Sequence, residues 1–320
     1  MSDFICTIDL AQWRAGGAGA AAVEAAVDEG MQRAGFLLVT GHSIPVTLAA
    51  DVRAAARRFF ALAPEIKERY AASVGERGWI GPGREANAYS EGGETPPDLK
   101  ETFALGAFEP TGDAAADALW FLPNVWPAEV PELAVLLGDY QQRCREVTAE
   151  LLALFASALG LPRNPFADLA AHPTWTLNVN HYPSLADVGE PEPGQFRIGP
   201  HTDFGTVTLL DREPGVAGLQ VYSDEIGWAD APFVPGALTV NIGDLLAHWS
   251  AGRWCSGRHR VLPPSPAAAH EDLVSLIYFG ELDHDALVQP LAPPLGHRAD
   301  LPAVTSGDFI RERLDAITIG

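Results

Sequence analysis

Apolar residues recur at three- and four-residue spacing through most of the first half of the chain, which is the pattern of helices that bury one face. The longest such stripe covers 131–159, and shorter ones cover 18–34 and 46–63. Short apolar runs at 4–8 and 35–39 predict strands between these helices. The first half is therefore predicted to be mainly helical, with short strands.

The second half has a different texture, because from residue 175 onward short extended runs alternate with Gly and Pro. Many short strands with turn residues between them favour an antiparallel sandwich or barrel, with the helices packed on its outside. We therefore predict a fold that is mainly β with α and forms one structural unit. It consists of an N-terminal helical region (1–161) and a β core with a C-terminal segment (162–320). The predicted core strands are 175–182, 205–210, 218–222, 237–241, 256–262 and 273–279.

Composition and charge narrow the class of protein. The chain has 320 residues, of which 47% are hydrophobic and 20% charged, so it can bury a large core. Its net charge of −21 repels phosphate backbones and anionic lipid, which argues against a nucleic-acid or membrane-surface role. No apolar run reaches the roughly 20 residues of a membrane span, and no signal-peptide pattern opens the chain. We expect a cytoplasmic protein whose cysteines are free thiols.

Candidate metal ligands lie in the second half. His201 and Asp203 stand at i and i+2, so on a strand both side chains point to the same face. His259 lies in another predicted strand, which antiparallel pairing would bring beside the first. Two imidazoles and one carboxylate leave about half of an octahedron open, and this is the ligand set of non-haem Fe(II) oxygenases. The spacing alone is weak, because a surface histidine and a turn aspartate produce the same pattern.

Further sequence blocks surround these residues and carry a resemblance to a known family. Along nearly its whole length the chain resembles the isopenicillin N synthase-like family of Fe(II)/2-oxoglutarate-dependent dioxygenases. Each block is moderately specific, whereas their order along the chain is very specific. The blocks are IDL (8–10), GFLLV (35–39), DLKETF (98–103), PNVWP (123–127), HTDFG (201–205), GLQV (218–221), NIGD (241–244) and SGRHRV (256–261).

The resemblance implies a fold and a chemistry. It implies a double-stranded β-helix (jelly-roll) core, with His201, Asp203 and His259 as the iron ligands. It also implies that 2-oxoglutarate and O2 bind the iron together, and that decarboxylation of the oxo acid to succinate is coupled to oxidation of a substrate C–H bond. The expected cofactors are Fe(II) and 2-oxoglutarate, with ascorbate as the reductant in vitro. The expected partners are O2 and a small organic molecule such as a specialised metabolite. Hydroxylation, desaturation, ring closure and epoxidation all stay open, as does the oligomeric state.

The sequence departs from the family at one cosubstrate position. Family members usually carry Arg-x-Ser after the second histidine, and that Arg pairs with the distal carboxylate of 2-oxoglutarate. Alignment on Ser275 puts Leu273 where the Arg should stand. Leucine cannot pair with a carboxylate, and a charge-assisted hydrogen bond contributes about 1.5–3 kcal/mol. Without a substitute cation, the affinity for 2-oxoglutarate should fall roughly tenfold to a hundredfold.

Strand parity ranks the arginines that could supply the missing positive charge. Arg197 precedes the first metal-ligand candidate by four residues and shares its parity, so it is the first candidate. Arg258 and Arg260 flank His259 and are predicted to face away from the metal. Arg212 is a poorer candidate.

A polar triplet marks a second part of the expected site. Period two places Asn178, Asn180 and Tyr182 on one face of a predicted strand. The triplet resembles the family's strand that lines the active site. We predict that Asn180, Tyr182 and Ser275 contact the cosubstrate, and that Asn178 and Phe204 contact the substrate.

Three functions stay open from the sequence. The first is a 2-oxoglutarate oxygenase with a relocated cation. The second is an isopenicillin N synthase-like oxidase that uses O2 without 2-oxoglutarate, which the loss of the usual Arg favours. The third is a degenerate binding protein, which the intact His-Asp-His set argues against. The family resemblance keeps the first ahead of the second.

Overall fold

The computed structural model describes residues 4–93, 95–215 and 218–317 of the chain. Within these ranges, no helix combines the length and the apolar character needed to cross a membrane. The helices are α1 Leu10–Arg14, α2 Gly17–Arg33, α3 Val46–Phe60, α4 Pro64–Lys67, α5 Ala114–Trp120, α6 Glu132–Ala158, α7 Phe166–Leu169, α8 Leu185–Val188, α9 Asp244–Trp249 and α10 Ser306–Ile317. The strands are β1 Cys6–Asp9, β2 Phe36–Thr40, β3 Gly78–Ile80, β4 Glu101–Gly106, β5 Trp175–Tyr182, β6 Ile198–His201, β7 Val207–Asp211, β8 Leu219–Ser223, β9 Gly227–Asp230, β10 Leu238–Ile242, β11 His259–Val261, β12 Leu273–Gly280, β13 Leu287–Val288 and β14 Val304–Thr305.

Two sheets form the core. Eight strands pair in the order β1-β2-β10-β7-β12-β5-β4-β3, and four more pair in the order β6-β11-β8-β9. The two sheets meet through apolar side chains, because Phe36 and Leu38 of β2 belong to one cluster with Leu219 and Val221 of β8. This is the jelly-roll core that the sequence predicted.

The long helices cover the outer face of the eight-stranded sheet. Helices α3 and α6 contact β12, and α2 packs on α6 and β1. Alternate residues of β5, Leu177 and Val179, share this apolar layer with Leu276 of β12 and Leu151 of α6. The residues of β5 between them therefore face the space between the two sheets.

The N-terminal half contributes strands as well as helices to the fold. Strand β2 pairs with β10, and β4 pairs with β5, so β1–β4 extend the sheet of the second half at both edges. The two predicted regions, 1–161 and 162–320, thus share one sheet. The sequence pattern indicated β1 and β2 but not β4, because all six residues of β4 are buried and show no alternation of apolar and polar positions.

Candidate active site

The three metal-ligand candidates meet where β6 ends and β11 begins. His201 and His259 are direct partners in the antiparallel pairing of these strands, and their ring centroids are 4.1 Å apart. One ligand atom from each histidine and from Asp203 lies within 4.8 Å of the others. Asp203 lies beyond the end of β6, in the segment that follows it. Strand alternation was therefore the wrong reason for placing it beside His201, although the predicted proximity is present.

Both imidazoles are oriented by the backbone. Nδ1 of His201 lies 2.8 Å from the carbonyl oxygen of Gly199, and Nδ1 of His259 lies 2.8 Å from that of Gly257. A carbonyl only accepts, so each Nδ1 carries the proton and each Nε2 keeps its lone pair for a metal. Burial, with the neighbouring His259, lowers the pKa of His201 to about 4, so the ring is neutral near pH 7.

Hydrogen bonds hold one oxygen of the Asp203 carboxylate and leave the other oxygen available to a metal. Its Oδ2 accepts hydrogen bonds of 2.6 Å from the Thr208 hydroxyl and from Asn241 Nδ2. Its Oδ1 lies 3.7 Å from Nε2 of His201. Burial opposes ionisation, but the two histidines and the two hydrogen bonds outweigh it and lower the pKa of Asp203. This donor set, two imidazoles and one carboxylate on one side, fits ferrous iron with open positions.

A cavity of about 530 Å³ adjoins these ligands between the two sheets. Its wall includes the polar triplet of β5, Asn178, Asn180 and Tyr182, as the period-two pattern predicted. Phe204 also lines it, and so does Ile310 of α10. The cavity therefore offers both polar and apolar contacts beside the metal-ligand cluster.

A chain of hydrogen bonds crosses the polar wall of the cavity. Lys100 Nζ donates to the Thr102 hydroxyl at 3.1 Å, and that hydroxyl donates to Asn180 Oδ1 at 2.9 Å. Asn180 Nδ2 lies 3.5 Å from the Tyr182 hydroxyl, which Ser275 also contacts. Burial raises the pKa of Tyr182 to about 12, so its phenol stays protonated and can donate.

Arg197 lies beside Tyr182 and is almost fully buried, at 1% exposure. Its Cζ atom is 5.5 Å from the centre of the Tyr182 ring. Nη1 donates to Oε2 of Glu271 at 2.8 Å, and Nη2 donates to the Glu271 carbonyl at 3.3 Å. Leu273 pairs with Tyr182 across β12 and β5. Leu273 stands where the family usually has Arg. Both this position and the Arg197 guanidinium therefore lie beside Tyr182.

The other candidate arginines are engaged elsewhere. Arg258 forms an ion pair with Glu91, and Arg260 donates to Oε1 of Gln220. Arg212 donates to backbone carbonyls, including that of Ala231. Within the ranges that the structure describes, the cavity wall includes none of the three, and it does not include Arg197 or Ser275 either. Arg197 and Ser275 differ from the three in that they contact Tyr182, which does line the cavity.

Several charged residues of the cavity wall were not predicted from the sequence, among them Arg77, Lys100 and Glu281. Glu281 accepts hydrogen bonds from the backbone N–H and the hydroxyl of Thr206, at 2.9 and 3.3 Å. Burial raises the pKa of Glu281 to about 8. No spacing rule marks these residues, because each reaches the cavity through strand pairing or loop packing.

Replacement of Glu281 by glutamine is expected to change the pH dependence of stability of the metal-free protein. The unfolded carboxyl ionises near the ordinary pKa of 4.5, whereas the folded one ionises near 8. Unfolding between these values releases a proton, so this group lowers the free energy of unfolding as the pH rises through that range. Near neutral pH, the Gln variant should be more stable by roughly 2–3 kcal/mol in urea unfolding. A pH-independent difference between variant and wild type would contradict this expectation.

A jelly roll that brings two imidazoles and one carboxylate to the wall of a cavity defines a class of protein, the non-haem iron oxygenases. Comparison with known proteins narrows the class. Residues 5–129 match the family described as non-haem dioxygenase in morphine synthesis N-terminal, and residues 174–279 match the 2OG-Fe(II) oxygenase superfamily. A validamycin A dioxygenase of Streptomyces hygroscopicus subsp. limoneus is 44% identical over 98% of this chain and 86% of its own. A homoarginine-6-hydroxylase of Glycine max is 33% identical over 83% of this chain and 79% of its own.

Solved structures agree with this family. Neurospora crassa T7H in complex with alpha-KG, which is 2-oxoglutarate, matches with a TM-score of 0.83 and 28% identity, over 97% of this chain and 95% of that one. The chain belongs to the Fe(II)/2-oxoglutarate-dependent oxygenase superfamily. It is a 2-oxoglutarate-dependent dioxygenase, which supports the first of the three open functions over the other two.

Proposed function

We propose that this dioxygenase oxidises a small organic metabolite in the cavity, with His201, Asp203 and His259 as its iron ligands. The observation that carries the proposal is the convergence of their three ligand atoms within 4.8 Å at the wall of that cavity. The backbone carbonyls that orient the imidazoles, and the hydrogen bonds on Oδ2 of Asp203, are the outer contacts that metal ligands in proteins usually have. When bound, Fe(II) with 2-oxoglutarate supplies the activation of O2 that no side chain provides.

We propose that the cosubstrate contacts the cluster around Tyr182. The Tyr182 phenol, the Ser275 hydroxyl and Asn180 offer hydrogen bonds, and Arg197 offers a positive charge beside them. A buried carboxylate needs hydrogen-bond donors and a positive charge, because burial without them is costly. Two nitrogens of the Arg197 guanidinium donate to Glu271, and the guanidinium lies over the Tyr182 ring. These residues orient the oxo acid and hold its distal charge.

The substrate is proposed to contact Asn178 and Phe204. Oδ1 of Asn178 is buried and has no hydrogen-bond donor among the described residues, although its side chain lines the cavity. A buried acceptor without a partner costs about 1–3 kcal/mol, so a substrate N–H or O–H group would remove that cost. Phe204 offers an apolar contact next to Asp203. Small molecules suit this cavity, as with the relative named for validamycin A and with T7H bound to thymine.

The cellular location stays a separate proposal. Cys144 and Cys255 are free thiols, the first buried and the second exposed, which fits the reducing cytoplasm that the sequence predicted.

Stoichiometry tests the proposed function. The Fe(II)-loaded enzyme is incubated with O2, ascorbate, 2-oxoglutarate and a library of small metabolites that includes validamycin A, and succinate is measured together with oxidised product. We expect succinate and product in equal amounts, both dependent on iron. Product without succinate would contradict the coupling to 2-oxoglutarate. Failure of the anaerobic enzyme to form a visible iron–oxo acid charge-transfer band would contradict the proposed site.

A further inference from the structure

Three lysine or arginine side chains line the cavity in the described ranges, namely Arg77, Lys100 and Arg311. Lys100 forms an ion pair with Glu85, and Arg311 forms one with Asp308. Arg77 has no carboxylate partner among the described residues. Its Nη1 donates to the carbonyl of Gly75 at 3.2 Å, and its Nε is buried without any acceptor.

The missing side chain of Gly106 leaves the space that the Arg77 guanidinium occupies. Gly106 ends β4, and a Cβ atom built on it would lie 2.0 Å from Cζ of Arg77. Any residue other than glycine at 106 would therefore displace the Arg77 side chain. The close approach leaves the guanidinium lying on the backbone of β4, in the wall of the cavity.

Strand register relates Gly106, on which this cation lies, to the strand that supports the metal-ligand cluster. One row of paired residues crosses the sheet from the Arg77 position to Thr208, the residue that donates to Asp203. Three strand spacings of about 4.8 Å separate Gly106 from Thr208, or roughly 14 Å. The members of the row, on β4, β5, β12 and β7, are Gly106, Thr176, Phe279 and Thr208.

The charge of Arg77 survives its burial. Desolvation lowers the pKa of Arg77 to about 10, so the side chain is still a cation near neutral pH. A half-buried cation without a counter-ion is energetically unfavourable. A carboxylate or phosphate group in the cavity can accept two parallel hydrogen bonds from the guanidinium. An anionic ligand would thus remove an electrostatic cost that the empty cavity carries.

We propose that Arg77 binds an anionic group of the substrate, a carboxylate or a phosphate, and so fixes the end of the molecule that is not oxidised. The substrate class is therefore a small acid long enough to extend from Arg77 to the metal-ligand cluster. This inference rests on the proposed function, because it assigns the substrate of the same cavity. It adds a specificity residue that neither the metal ligands nor the cosubstrate cluster supplies.

Matched probes test the inference. The anaerobic Fe(II) enzyme with 2-oxoglutarate is titrated with a panel of small carboxylic acids and their primary amides, and with phosphate monoesters and their parent alcohols. Binding is followed through the change in the iron–oxo acid charge-transfer band. We expect acids of one of the two kinds to bind at least roughly tenfold more tightly than their neutral counterparts. Which kind binds identifies carboxylate or phosphate as the anion.

Two variants and a control assign the preference to Arg77. Arg77→Gln removes the charge, and Gly106→Ala keeps the charge but displaces the side chain, so both should abolish the preference for acids. Arg84→Gln makes the same charge change at an exposed position outside the cavity wall and should keep the preference.

The outcomes separate this inference from the proposed function. An intact charge-transfer band in the absence of any acid preference would overturn the inference alone. The same conclusion follows if no acid of the panel binds, or if Arg77→Gln retains the preference. Absence of the band in the wild type would overturn the proposed function, and the inference with it.

Discussion

Asp203→Ala is expected to remove bound iron and turnover together. The Asp203 carboxylate is the only anion of the three-ligand cluster, and burial lowers the pKa of His201 to about 4. Loss of an outer hydrogen bond to a metal ligand typically costs tenfold to a hundredfold in metal affinity, so loss of the ligand itself should cost more than about a hundredfold. Iron content after anaerobic reconstitution and succinate formation measure the two effects.

A graded control accompanies this variant. Thr208→Val keeps the shape of the side chain but removes its 2.6 Å hydrogen bond to Oδ2 of Asp203. We expect iron affinity to fall about tenfold to a hundredfold, between wild type and Asp203→Ala. Circular dichroism should show both variants folded, because the Ala variant removes a buried charge rather than an apolar contact. Retained iron and turnover in Asp203→Ala would contradict the ligand assignment.

The sequence predicted much of the fold because its long elements have clear periods. The stripe at 131–159 became α6, Glu132–Ala158, and the run at 175–182 became β5, Trp175–Tyr182. Strands that lack an alternation of apolar and polar residues were not predicted. The clearest case is β4, because both its faces are buried. The predicted strand at 256–262 shortened to β11, His259–Val261, and the carbonyl of Gly257 in the irregular segment before this strand orients the His259 ring.

The candidate site was predictable only where local spacing or family resemblance marks it. His201 and Asp203 stand two positions apart in the sequence, and the three polar residues of β5 follow period two, so both groups were found. The pairing of His259 with His201 had to come from the register of β6 and β11. Arg77 became visible only through its approach to Gly106, a contact between β4 and the residue that precedes β3.

Loss of the Arg197 charge is expected to produce the second large effect, on the affinity for 2-oxoglutarate. Arg197→Gln is expected to weaken 2-oxoglutarate binding roughly tenfold to a hundredfold, because it removes a charge-assisted contact of about 1.5–3 kcal/mol. Glutamine can still donate to Glu271, so that carboxylate is not left without a partner. Titration of the charge-transfer band measures the affinity. Arg212→Gln is the matched control, because it loses the same charge at a guanidinium that donates to the backbone carbonyls of Ala231 and Pro232 rather than lying beside Tyr182, and it should bind like wild type.

A rescue variant tests the geometry rather than the charge alone. Leu273 pairs with Tyr182 on β5, the residue whose ring also adjoins Arg197. Leu273→Arg in the Arg197→Gln background should therefore return a guanidinium to the same tyrosine and restore most of the affinity. Lys100 is the competing cation, since it lines the cavity and reaches Asn180 through Thr102. If Arg197→Gln binds 2-oxoglutarate like wild type while Lys100→Met does not, the distal carboxylate lies at Lys100 and the assignment to Arg197 is wrong.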